Sequence, residues 1–176
     1  DIYASGQTIK LGGEVDDDII AAGYVLSVVG KVGGDFIGAG FSSELRGSLG
    51  KDFLFFGYQT ILAGDVGRNA RFAGNGIKIS GRIGGDVEVD VSESEAEGLP
   101  PGFPFYPGLP TVPSVPPGLT LEEGARIGGD LRYTAREEVS IPVGVVGGKV
   151  EFKKYEPPRK AAPPFRVRAM RWGLDR

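Results

Sequence analysis

Apolar side chains recur along this chain at one fixed set of positions, and glycine recurs at another. Cut before Asp1, Asp18, Asp35, Asp52 and Asn69, the chain yields five consecutive blocks of 17 residues with no gap. Position 6 of the block is Gly6, Gly23, Gly40, Gly57 and Gly74, and position 13 is Gly13, Gly30, Gly47, Gly64 and Gly81. Position 2 runs Ile2, Ile19, Phe36, Phe53, Ala70 and Val87; position 11 runs Leu11, Val28, Leu45, Leu62 and Ile79; position 15 runs Val15, Val32, Leu49, Val66 and Ile83. Position 1 is Asp or Asn throughout. A sixth block begins at Asp86, diverges, and regains its ending at LTLEEGARIGG; a seventh begins at Asp130 and closes two residues late.

A 17-residue period is too short for helix-containing repeats, which need about 20 residues or more. Apolar residues at positions 2 and 4, at 9 and 11, and at 15 give short runs of period two, the signature of strands. Glycines between the runs allow positive φ at the bends. The expectation is an all-β, single-stranded β-helix solenoid with about 17 residues per coil and about seven coils. Each strand would pair with its equivalent one coil away, at a spacing of about 4.8 Å. The domain would occupy residues 1–152, interrupted by a Pro-rich insert at 92–118, and a basic Pro-containing tail would follow at 153–176. Frequent glycine disfavours a helical alternative by up to about 1 kcal/mol per residue.

Composition narrows the chemistry. The 176 residues include 30 Gly and 13 Pro, but no Cys and no His. Disulfides, thiolate chemistry and imidazole-dependent catalysis are therefore excluded. The scarcity of Asn, Gln and Met hints at a thermophilic source. Residues 153–176 carry eight Lys/Arg against two acids, so an acidic body bears a basic tail. A basic body would be expected of a general nucleic-acid binder. No run of 18 apolar residues is present to span a membrane as a helix. The chain begins at Asp1 rather than Met, which fits a removed signal peptide.

The phased motif GxVGGD, with GARIGGDLRYT and GVVGGKVEF, resembles the bactofilin family of polymer-forming bacterial cytoskeletal proteins, closest to its exported, membrane-linked relatives. The resemblance covers residues 1–152 apart from the insert. It implies a right-handed β-helix, end-to-end assembly, no catalytic residues and no cofactor. It also implies the extracytoplasmic face of the cell envelope with membrane attachment, or alternatively a cytoplasmic cytoskeleton. The Pro-rich insert and the basic tail depart from the family pattern.

Other constellations in the chain have simpler roles. The column Asp1, Asp18, Asp35, Asp52, Asp86 and Asp130 could line up carboxylates for Ca²⁺. It lacks the nonapeptide Ca²⁺ pattern, and an Asx turn at each corner is the favoured reading. Hexapeptide acyltransferases and their zinc relatives need histidines and a period of six. GDVGRNARFAGNG lacks the ending of a phosphate loop. No metal, cofactor-binding or catalytic residue is therefore expected, and no small-molecule substrate. The outward positions are different. DFLFFGYQ, from Asp52, should place Phe53 and Phe55 in the core and Leu54, Phe56 and Tyr58 outside. With Ile20, Tyr24, Ile37 and Phe41 these make an apolar stripe on coils two to four, read as an interface. In the insert, prolines recur every third residue from Pro101 to Pro116. In polyproline II they would line one edge, with Phe103 and Tyr106 on a second, a strip suited to aromatic surface. In the tail, Arg166, Arg168, Arg171, Trp172 and Arg176 suit a membrane-proximal segment or anionic lipid.

Two functions follow as expectations. One is a non-enzymatic structural protein that self-assembles or scaffolds at the envelope. The alternative is a monomeric solenoid that docks into a larger envelope complex through the stripe and insert. A polysaccharide-active β-helix enzyme is the least favoured.

Overall fold

A computed structural model describes residues 1–91 and 110–156. The described residues contain strands and turns and no helix. Every strand pairing is parallel, and each joins equivalent residues one coil apart. At position 2 the register runs Ile2, Ile19, Phe36, Phe53, Ala70, Val87, Leu131 and Val150. The solenoid therefore has eight coils of about 17 residues. The eighth begins at Lys149 and carries the strand Val150–Lys154, so the fold runs past residue 152 into the segment expected to be tail. At about 4.8 Å per coil the stack is about 38 Å long.

Each of the first four coils opens with a ten-residue strand, Ile2–Leu11, Ile19–Val28, Phe36–Leu45 and Phe53–Leu62. Pairing lapses at position 7 in each, where the strand turns from one face to the next. A two-residue strand at positions 14 and 15 makes the third face, and six of these form a second sheet. The sequence pattern placed three short strands per coil; the first two are continuous in coils 1 to 4 and separate only in coils 5 and 6.

The core is the sum of the inward columns. Ile19, Leu26, Val28, Phe36, Leu45, Phe53, Phe55, Leu62, Ile79 and Leu131 are all buried. Aromatic rungs stack along it, Phe36 on Phe53 at 5.3 Å and Phe55 on Phe72 at 6.2 Å between ring centroids. Gly38 stands where the column would otherwise hold a side chain. A Cβ there would lie 2.7 Å from the Phe36 ring and 3.0 Å from that of Phe55. Coils 3 and 4 thus fit large rings by emptying a neighbouring position and by using small polar residues at position 9. Ser43 and Thr60 are buried there and satisfy each other through their hydroxyls, as burial of polar groups requires.

The repeat glycines have a different cause from the one the sequence suggests. Among the described residues, positive φ occurs only at Gly13, Gly118 and Gly144. At Gly40 and Gly47 the constraint is the neighbouring coil: a Cβ would collide with the carbonyl oxygen of Gly23 or Gly30. Close stacking of backbones excludes a side chain there.

The Asp column also differs from expectation. The carboxylates do accept backbone N–H groups, but from the next coil rather than from their own turn. Asp18 accepts from Asp35 N at 2.8 Å, Asp35 from Asp52 N at 2.8 Å, and Asp52 from Asn69 N at 2.9 Å. Asn69, Asp86 and Asp130 continue the ladder to Asp86 N, Asp130 N and Lys149 N. Each rung fastens one coil to the next. A net contribution of about 1.5–3 kcal/mol is typical for a hydrogen bond to a charged group, and exposure lowers it here. Lys51 and Arg68 sit against the column, paired with Asp18 and Asp52.

Candidate interaction face

The outer face of the large sheet is set by positions 3 and 5, which alternate with the buried positions 2 and 4. At position 3 coils 1 to 4 carry Tyr3, Ile20, Ile37 and Leu54. At position 5 they carry Ser5, Ala22, Ala39 and Phe56. Tyr3 is 73% exposed, Ile20 40%, Ile37 38% and Phe56 53%. Small side chains between large ones leave a shallow apolar groove of about 420 Å³. The Ile20 and Ile37 side chains wall it, Ala22 and Ala39 line it, and Phe56 and Tyr3 stand towards its two ends.

The pattern changes at coil 5. Position 3 becomes Arg71, Glu88, Arg132 and Glu151, in register with one another. Arg71 pairs with Glu88 at 2.7 Å, and Arg132 with Glu151 at 3.2 Å. The recess at this end, about 310 Å³, is mixed: Asp52, Asn69, Arg71, Asp86 and Arg132 line it together with Phe53 and Leu54. The core columns pass through both halves without a break.

Of the stripe residues picked out in the sequence, the structure gathers Ile20, Ile37, Leu54 and Phe56 onto this face, with Leu54 half-buried. Position 7 is a correction. Phe41 is buried, 9% exposed, and Tyr24 and Tyr58 are half-buried. The three rings stack at 4.8 Å and within 5° of parallel, Tyr24 on Phe41 and Phe41 on Tyr58. The turn at position 7 lays each ring on its equivalent one coil away, so both faces of the central ring are covered. Phe103, Tyr106, Arg166, Arg168, Arg171, Trp172 and Arg176 lie outside the described residues.

The insert meets the solenoid at that same turn. Val91 ends the first face of coil 6, and Gly118 resumes opposite Gly76. Residues 92–117 therefore take the place of a single residue, position 7 of coil 6. Gln59 fastens the returning leg: its side-chain amide donates to Pro113 O at 2.5 Å and accepts from Val115 N at 3.3 Å. Ser42 Oγ accepts a second bond from the same amide at 3.1 Å. Gln59 and Val115 are both buried. Sequence reasoning missed this clasp. Its one signal was a glutamine at position 8 of coil 4, where Val25 and Ser42 precede it.

Two arginine–carboxylate forks organise the charges, one at the Asp column and one on the third face. Arg68 contacts both oxygens of Asp52, at 3.1 and 2.6 Å, and Arg82 those of Asp65, at 3.1 and 3.0 Å. The Arg68 guanidinium holds the Asp52 carboxyl below its ordinary range, and Arg82 does the same for Asp65. No group of three or more acidic side chains among the described residues is arranged to hold a metal ion. Comparison with protein-family models, with curated proteins and with solved structures finds no match for this chain.

Proposed function

We propose that this protein is a non-enzymatic structural β-solenoid that self-assembles or scaffolds at the bacterial cell envelope. One observation carries the reading. The outer face is apolar and grooved on coils 1 to 4, and ion-paired at the equivalent positions of coils 5 to 8, while the core beneath is the same. Folding does not demand the difference, since the polar half packs equally well. A contiguous apolar patch on a water-facing sheet marks a contact surface. The envelope part of the proposal leans on the resemblance of the GxVGGD phasing to bactofilins.

Sedimentation and negative-stain imaging across a concentration series test it. The wild type is expected to form assemblies, and Ile20→Glu with Ile37→Lys to dissolve them while the melting temperature holds. These positions suit the test better than Tyr24, Phe41 and Tyr58, whose stacking belongs to the fold. A wild type that stays a single 18.5 kDa particle at every concentration would refute self-assembly.

A further inference from the structure

We infer that the apolar face of coils 1 to 4 takes a second copy of this chain, paired face to face about a two-fold axis lying along the strand of coil 3. The inference rests on the assembly reading above and specifies its geometry. A two-fold interface must be self-complementary, because the same patch serves both partners. This patch is. An axis along Phe36–Leu45 exchanges coil 2 with coil 4 and coil 1 with coil 5, and it keeps each position opposite its equivalent. Phe56, the most prominent apolar side chain of coil 4, then faces Ala22 of coil 2, whose small side chain lines the groove. Ile37 and Ala39 face their own copies on the axis. Ile20 faces Leu54. The knob and the hole lie on one column, two coils apart, as this symmetry requires.

The edge of the face adds a contact in the same arrangement, twice per pair. Tyr3 comes opposite Arg71, a pairing of aromatic ring and guanidinium that is favourable at an exposed site.

Size sets the strength. Five coils at about 4.8 Å and five residue steps at about 3.3 Å give a footprint of about 400 Å² per copy. That is about 800 Å² in total, below a standard specific interface and in the weak, transient class. The pair is therefore a reversible dimer.

The absence of cysteine allows a clean test with single-cysteine variants of the full chain. A bismaleimide matched to the ~10 Å between packed sheets is added. Ile37→Cys is expected to give a covalent dimer by itself. Phe56→Cys mixed with Ala22→Cys is expected to crosslink several-fold more than either variant alone, and Glu123→Cys, outside the face, to stay monomeric. Adding Phe56→Asp to Ile37→Cys should remove the dimer with the melting temperature unchanged. Assemblies seen by sedimentation without an Ile37→Cys crosslink would overturn this pairing and leave assembly through another surface standing. A chain monomeric under all conditions would overturn both.

Discussion

At position 3 the first four coils present Tyr3, Ile20, Ile37 and Leu54 to the outside; the last four present Arg71, Glu88, Arg132 and Glu151. The two stretches share strand length at this face, register and core chemistry. Their contrast separates what the fold needs from what the surface adds. Inward positions tolerate only residues that fill the column. Outward positions tolerate both isoleucine and an arginine–glutamate ladder, so their identity is free to answer to something beyond folding.

Substitutions on either side of one strand break this comparison most directly. Phe55 and Phe56 are neighbours in sequence and point to opposite faces. Phe55→Ala should destabilise the monomer by about 3–5 kcal/mol, the cost of an unfilled aromatic site. Phe56→Ala should change it by no more than about 0.5 kcal/mol. Chemical denaturation at a concentration too low for assembly measures both, and equal losses would erase the distinction between core and face. A smaller effect is expected at Gly38. An added methyl there meets the rings of Phe36 and Phe55, so Gly38→Ala should cost about 1–3 kcal/mol through overpacking. The same change at a flat outward site would go unnoticed in the unfolding curve.

The smallest effect concerns the charged side, and it is read through pH. Asp52 has its carboxyl lowered by Arg68, so it binds its proton more weakly folded than unfolded. Unfolding then takes up a proton at acid pH, and stability rises with pH through that window. The contribution is complete above the unfolded value, about 3.9, and is lost as pH falls through the folded one. Asp52→Asn should therefore lower the neutral plateau slightly, flatten the acid limb of the melting-temperature profile below about pH 4, and leave the two proteins alike at the acid end. An acid limb as steep as the wild type's would remove the Arg68–Asp52 fork as its source. The exposed guanidinium limits the size of this effect.

Much of the fold was legible because a solenoid writes its geometry into its period. The 17-residue spacing of Gly6 to Gly74, with the Ile, Leu and Val columns, determines coil length, parallel pairing and core membership together. What escaped was whatever depends on neighbours outside one coil. The Asp column was recognised, but its bonds run between coils, which a single-coil turn does not describe. The repeat glycines suggest bends with positive φ, which holds at Gly13, whereas at Gly23, Gly30, Gly40 and Gly47 a backbone one coil away dictates them. The eighth coil was hidden because Lys149 replaces the Asp that marks a block, and coil 7 runs two residues long. The candidate face was partly legible. Alternation within DFLFFGYQ placed Phe56 outside and Phe55 inside. It could not show that position 7 is a corner where Tyr24, Phe41 and Tyr58 stack and Phe41 closes over.

The insert enters at one such corner, between Val91 and Gly118, and the coil resumes in unbroken register with Gly76. Contacts in a solenoid run between adjacent coils, so the coils depend on the returning leg at Pro113 and Val115, which Gln59 clasps, and not on the length of chain that precedes it. The cost of closing a loop grows only slowly, by about 0.6 kcal/mol per doubling of its length. Position 7 of coil 6 is therefore a natural socket. The segment ahead of the Gln59 clasp can lengthen, shorten or change in sequence while the rod that carries it stays the same, and new binding chemistry can be added to this architecture one corner at a time.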